Sequence, residues 1–405
     1  MKNLQYILSS IVLLAIVFTG CDSVDFGDIN EDDDVVTEAN TEGLMAGAMN
    51  RFATLGGRDY LTVPTLYVQY QGQSVYTTEQ RYGSSSSSWQ GYYQGTLSNL
   101  NEVVEITTAD EIDEITKTYG APVNQANVAE LMSVLVWKRV TDVWGPVPYT
   151  NALGKGETIA PAYTEQETIY KDLIERAKAA RDALDPSKEG PSGDPFYGGD
   201  VMMWKKFANS FIMDLSMSLA KKYPNDGQYA DQQFEAALNH SAGIIDEVSE
   251  EMWYDYNADI SGMGNPYATT TRGADYYLSD AFTDAMKGAT ADTAIAYSND
   301  QYDARLQVFS TDSAADGVDY GTDNGGVSGP SAYVTTDPGA DLHYFTAAKS
   351  YLLRAEAAER GWTSESAITM LQTGIEMSYA SMDAHYDDGS PNAGKMQSDG
   401  TQFAL

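Results

Sequence analysis

Residues 128–149 read VAELMSVLVWKRVTDVWGPVPY. Val128, Leu131, Met132, Leu135, Val136 and Val140 recur at three- and four-residue spacing, which aligns them on one face of an α-helix. Gly145-Pro146 closes the run, because glycine accepts the left-handed backbone that ends a helix and proline cannot extend one. The same period appears on both sides of this stretch. Leu44, Met45, Ala48, Met49 and Phe52 form one stripe. Tyr92, Tyr93, Leu97, Leu100 and Val104 form another across Trp89–Val104. Thr164-Glu165-Gln166-Glu167 reads as a capping box that opens a helix through Ile169, Leu173, Ile174 and Leu184. Asp200 caps the next, with Trp204, Phe207, Phe211, Leu215 and Leu219 inward. Phe345, Tyr351, Leu352, Ala355 and Ala358 lead to Gly361, and Thr363 then opens a last helix carrying Ile368, Leu371 and Ile375. Short turns between such helices predict a mainly α fold, a solenoid-like scaffold of helix pairs, although the tetratricopeptide consensus is not matched residue for residue.

Two stretches lack this period. Residues 69–88 are rich in Gln, Gly, Ser and Tyr, and residues 253–340 in Gly, Asp, Asn and Tyr. Loops of that length in a compact domain are functional or disordered.

The chain begins with an apolar run, Ile7 to Phe18, too short to span a bilayer, followed by Thr19-Gly20-Cys21. Small residues before the one cysteine of the chain form a lipobox. Cleavage before Cys21 and acylation of that residue are expected; the alternative is an ordinary secretory signal. The organisation read from the sequence is a signal peptide at 1–20, an acidic tether at 21–40 and a helical domain at 41–405. With Cys21 lipidated, neither a disulfide nor a cysteine nucleophile remains. The formal charge is −35, from 59 acidic and 24 basic residues, which repels nucleic acid. Adaptation to high salt would explain that balance as well as simple solubility does. No D-x-[DN]-x-[DN]-G calcium loop occurs in the tether or at Asp319 to Gly325.

Several segments resemble, in family order, the SusD/RagB family of surface nutrient-binding lipoproteins. These are Thr141-Asp142-Val143-Trp144-Gly145-Pro146-Val147-Pro148-Tyr149, Tyr197-Gly198-Gly199-Asp200 and Trp204-Lys205-Lys206-Phe207-Ala208-Asn209-Ser210. Asp303-Ala304-Arg305-Leu306, Glu356 to Trp362, Gly374-Ile375 and Ser381-Met382 follow. The resemblance implies a tetratricopeptide-like scaffold with a loop-rich, irregular ligand-binding portion, anchored at the outer membrane through lipid. It implies an oligosaccharide ligand and a SusC-type TonB-dependent transporter as partner. Asp214 and Ser218 stand where the family commonly has basic residues, so its matching ion pairs are not expected. The chain stops at Leu405 where family members continue through further helices, which reads as a short variant or a fragment.

Sugar rings present flat C–H faces, so ligand residues are sought among loop aromatics. Tyr76, Tyr82, Trp89, Tyr92 and Tyr93 flank Ser84 to Ser88, with Gln80, Arg81 and Gln90 as hydrogen-bonding neighbours. Tyr92 and Tyr93 fit a core at helical spacing as well as a site. A second set is Trp253, Tyr254, Tyr256, Tyr267, Tyr276 and Tyr277. His240, His343 and His385 stand in no catalytic frame, and no nucleophile elbow or phosphate loop occurs. No enzyme activity and no cofactor are expected; a structural calcium ion is left open. A peptide-binding surface scaffold, or a glycoside hydrolase using one of many acidic pairs, are the alternatives.

Overall fold

The computed structural model describes residues 40–83, 87–154, 160–269, 275–288, 303, 305–312, 314–323, 329–332, 335 and 337–386. The signal peptide, Cys21 and the tether up to residue 39 lie outside the described residues. In chain order the main elements are α1 (Thr41–Thr54), α2 (Val63–Tyr67), β1 (Gln71–Gln73), α3 (Ser98–Thr107), α4 (Pro122–Trp144), β2 (Val147–Pro148) and β3 (Tyr163–Thr164). Then come α5 (Gln166–Ala183), α6 (Val201–Ser218), α7 (Tyr229–Leu238), β4 (Met252–Tyr254), β5 (Tyr276–Leu278) and α8 (Asp280–Lys287). The last are α9 (Leu306–Phe309), β6 (Leu342–Phe345), α10 (Ala347–Glu359) and α11 (Ala367–Tyr386).

The fold is mainly α, as the periodicity predicts. Helices pack in succession, α1 on α3, α3 on α4, α4 on α5, α5 on α6, α6 on α7 and α10 on α11. α4 is the central member, with Val128, Leu131, Met132, Val136, Trp137 and Val140 all buried. Each such side chain contributes roughly 1.5–3 kcal/mol by leaving water. α4 ends at Gly145, whose φ of 72° only glycine adopts without strain. Asp200 caps α6 as expected, accepting from the Met202 and Met203 amides at 2.9 and 3.1 Å. The turn before that cap is held by buried Asp194. Its carboxylate accepts from the backbone of Phe196 (2.9 Å), Tyr197 (3.3 Å) and Gly199 (3.0 Å) and from the Trp204 indole (2.7 Å). Burial pushes the Asp194 carboxyl upward despite these donors.

Four local expectations need correction. Thr164 does not cap α5: it pairs with Val147 in the β2–β3 ladder, Glu165 takes the cap position, and no side chain caps it. The Trp89–Val104 stripe is not one helix, because Gln94 and Gly95 leave helical geometry (Gly95 φ 77°) and α3 starts only at Ser98. Phe345 ends a strand instead of joining the helical stripe, and Thr346 caps α10, accepting from Lys349 N at 3.1 Å. The last helix opens after Ser366, not at Thr363, and Ile368, Leu371 and Leu352 are exposed rather than inward.

Asp214, which stands where the family commonly has a basic residue, makes ion pairs of its own. Asp214 on α6 is buried between Lys349 on α10 (2.9 Å) and Lys138 on α4 (3.5 Å), and Lys138 also meets Asp142 at 2.8 Å. Burial alone would raise the Asp214 carboxyl, but the two ammonium groups outweigh it and hold it below the usual carboxylate range.

The irregular part is closed by two-stranded antiparallel ladders between distant residues. β1 pairs with β5 (Gln71 opposite Leu278) and β4 with β6 (Met252 opposite Phe345). Tyr254 donates to Asn50 Oδ1 (2.8 Å) and Tyr256 to the Ala53 carbonyl (2.7 Å), tying this part to α1. Arg139 of α4 is buried with its guanidinium 3.9 Å from the ring centres of both Phe52 and Tyr60, a cation–π sandwich. Among the described residues no helix is long and apolar enough to cross a membrane.

Candidate ligand-binding site

The chain leaving α2 turns sharply through three left-handed non-glycine residues, Gln69 (φ 62°), Tyr76 (φ 56°) and Tyr82 (φ 59°). Such backbone costs about 1–2 kcal/mol per residue and persists only where the surroundings enforce it. Here they do. Gln73 and Gln80 exchange bonds: the Gln73 amide donates to Gln80 Oε1 (2.8 Å) and the Gln80 amide to Gln73 Oε1 (3.1 Å). Gln80 Nε2 reaches the Thr322 carbonyl (2.8 Å), and Arg81 Nε the Gly321 carbonyl (3.0 Å). Tyr320 donates to the Leu66 carbonyl at 2.6 Å. At Gly83 a Cβ would come within 2.6 Å of the Thr78 carbonyl oxygen, so only glycine closes this turn.

The result is an exposed tyrosine face built on a tightly held turn. Tyr82 rests on Tyr67 with ring centres 5.4 Å apart and planes tilted by 34°. Tyr76 is 70% exposed and Tyr82 60% exposed, and exposed Arg81 lies between them in sequence. Burial, with the Tyr82 hydroxyl beside it, pushes the Tyr320 phenol up to about 12. Like any phenol it is a neutral donor at physiological pH. A rigid, outward ring with polar groups at its edge can stack on an apolar face and bond hydroxyls around it.

The other residues singled out from the sequence fall elsewhere. Trp89 is half-buried, packed edge-on against Trp144 and Tyr163 at 6.0 Å and tilted against Tyr93 at 6.2 Å. Tyr93 is half-buried too and donates to the Pro148 carbonyl at 2.6 Å; burial raises its phenol further. Tyr92 and Tyr276 are core residues at 2% and 4% exposure, so neither offers a face to a ligand. Tyr254, Tyr256 and Tyr267 are buried as well, while Trp253 and Tyr277 are half-buried on β4 and β5. Gln80 is fully buried and spends its side-chain amide on the Gln73 backbone and the Thr322 carbonyl; Gln90 bonds Gln94 (3.0 Å). Sequence reading missed Tyr67, Tyr320 and exposed Tyr163. Tyr67 lies in the apolar α2 segment and Tyr320 more than two hundred residues from the loop it supports, so neither carries a local signal. Among the described residues no group of three or more His, Cys, Asp or Glu is placed to hold a metal ion.

Stacked helix pairs carrying a loop-built face define the class: a mainly helical scaffold with one irregular, aromatic-rich side. The chain belongs to the SusD-like family, whose model, described as starch-binding and associating with the outer membrane, matches residues 33–390. Solved structures agree on the fold. A chitin-binding protein superposes with a TM-score of 0.67 at 22% identity, over 85% of this chain and 76% of that one. A SusD homologue from Bacteroides fragilis gives 0.69 at 21% identity, over 89% and 76%. A chitin-binding SusD homologue from Flavobacterium johnsoniae gives 0.62 at 18%, over 84% and 70%. Among curated proteins none matches this chain.

Proposed function

We propose that this protein captures a neutral oligosaccharide at the cell surface, held to the outer membrane by lipid on Cys21, and hands it to a SusC-type TonB-dependent transporter. It breaks no bond and needs no cofactor; its work is binding and delivery. The observation that carries the reading is the exposure of Tyr76 and Tyr82 on a tightly bonded turn in which three left-handed non-glycine residues sit within fourteen positions. The family description names starch, and solved relatives are described as chitin-binding; both are uncharged glycans. A formal charge of −35 opposes anionic ones.

The test is an array of neutral oligosaccharides, anionic oligosaccharides and peptides probed with the purified chain. Retention on one class of neutral glycan is expected. Retention on peptides alone, or release of shortened sugars from the array, would overturn the proposal.

A further inference from the structure

A second concavity, of about 340 Å³, opens beside exposed Tyr70, between β1, β5, α8 and α9. Its walls are carbon: Tyr70, Leu278, Phe282, Met286, Val308 and Phe309. The rings are arranged around the space, Tyr70 to Phe282 at 5.2 Å and Phe282 to Phe309 at 6.0 Å between centres. One end is polar and incomplete. Tyr267 donates to Thr65 Oγ1 at 2.9 Å, and the one proton of the Thr65 hydroxyl has two acceptors in reach, the Thr62 carbonyl at 2.8 Å and Gln71 Oε1 at 3.0 Å. The oxygen of the Gln71 amide meets only that shared proton. Gln71 is 2% exposed, lines the pocket, and its Nε2 is buried without a hydrogen-bond partner. Buried amide donors are rarely left so, because the lost water bonds are not recovered. Arg305, also in the lining, is engaged by both Asp303 oxygens (3.0 and 3.1 Å from Nε) and by Ser378 Oγ (3.0 Å).

Resting on the glycan reading above, we propose that this pocket is a subsite for a neutral, carbonyl-bearing apolar substituent, an acyl or aroyl group on the captured sugar. The apolar body fills the ring-lined space and the carbonyl oxygen accepts from Gln71 Nε2. The chemistry selects against other occupants. An anion finds Arg305 already paired with Asp303. A bare sugar ring would bury several hydroxyls against carbon with one orphan donor to serve them. A plain hydrocarbon would leave Gln71 as it is. Size agrees: an apolar cavity of roughly 150 Å³ takes benzene, and this one has room for a substituted ring and its linkage.

Sugar-free probes separate the pocket from the shelf. Methyl benzoate and toluene are titrated into the full chain by ligand-observed NMR. Both are expected to bind. Gln71→Leu is expected to weaken methyl benzoate roughly tenfold, the loss of one hydrogen bond, and to leave toluene within about twofold. Toluene binding also reports that this variant is folded. Ala332→Leu, which narrows the same pocket, is expected to abolish both. Absence of both probes from the wild type, or equal loss of both in Gln71→Leu, overturns the subsite. The shelf variant Tyr82→Ala is expected to keep methyl benzoate. Failure of all glycan binding with methyl benzoate retained would therefore remove the glycan reading, whereas glycan binding without either probe would remove only the subsite.

Discussion

Replacing Tyr82 by alanine removes the ring on which a sugar is expected to stack, and the structure sets the size of the effect. A tyrosine side chain buries on the order of 200 Å² when fully covered. With Tyr82 60% exposed and one face resting on Tyr67, a sugar on the outer face covers about half of what is open, on the order of 60 Å². At about 25 cal/mol per Å² that is ~1.5 kcal/mol, or about tenfold in Kd. Tyr82→Phe keeps the plane and loses a 3.3 Å bond to the Tyr67 carbonyl at an exposed position, so its Kd is expected within about twofold of wild type. Titration calorimetry with the best neutral oligosaccharide from an array measures both. An unchanged Kd for Tyr82→Ala in a protein of unchanged melting temperature would refute the stacking argument. So would an equal loss in Tyr82→Phe, which would put the binding in the hydroxyl instead.

Trp89→Ala is expected to act on stability, because the ring packs against Tyr93, Trp144 and Tyr163; a loss of about 2–3 kcal/mol in urea unfolding, with little change in glycan Kd, is the expected pattern. Asp194→Ala strands the four N–H donors that its carboxylate serves and should cost on the order of 3–5 kcal/mol by the same assay. Asp214 gives a pH dependence. Its folded carboxyl is held below the unfolded value by Lys349 and Lys138 against burial, so its stabilisation is complete above the unfolded value near ~4 and is lost as pH falls through the lower folded one. The stability gap between wild type and Asp214→Asn should be constant from about pH 5 to 7 and shrink below about 4; a gap that widens on acidification would contradict the ion-pair assignment.

The helical half was legible because burial imposes its period on the residues. Val128 to Val140 and Trp204 to Leu215 face the core as their spacing says, and Asp200 caps where a short acceptor precedes an apolar run. Boundaries were less legible. Thr164 has a capping residue's chemistry, but pairing with Val147 claims its backbone first. Gly95 breaks a stripe whose side chains keep the right order on either side. The late helices misled for another reason: Ile368, Leu371 and Leu352 have the spacing of an inward face yet are exposed. The irregular half was legible only as an absence of period. β1 is three residues long and finds its partner two hundred positions away, so no window along the chain contains the pair. Among the aromatics, type alone did not separate shelf from core. Tyr76 and Tyr276 differ in burial because one stands on a left-handed turn and the other inside a ladder.

The most direct measurement is a crystal structure of the chain soaked with its best neutral oligosaccharide. An intact sugar ring lying on Tyr82, with its hydroxyls toward Arg81, is the expected result. A sugar bound on the helical half with the Tyr76–Tyr82 face empty, or one found cleaved, would contradict it.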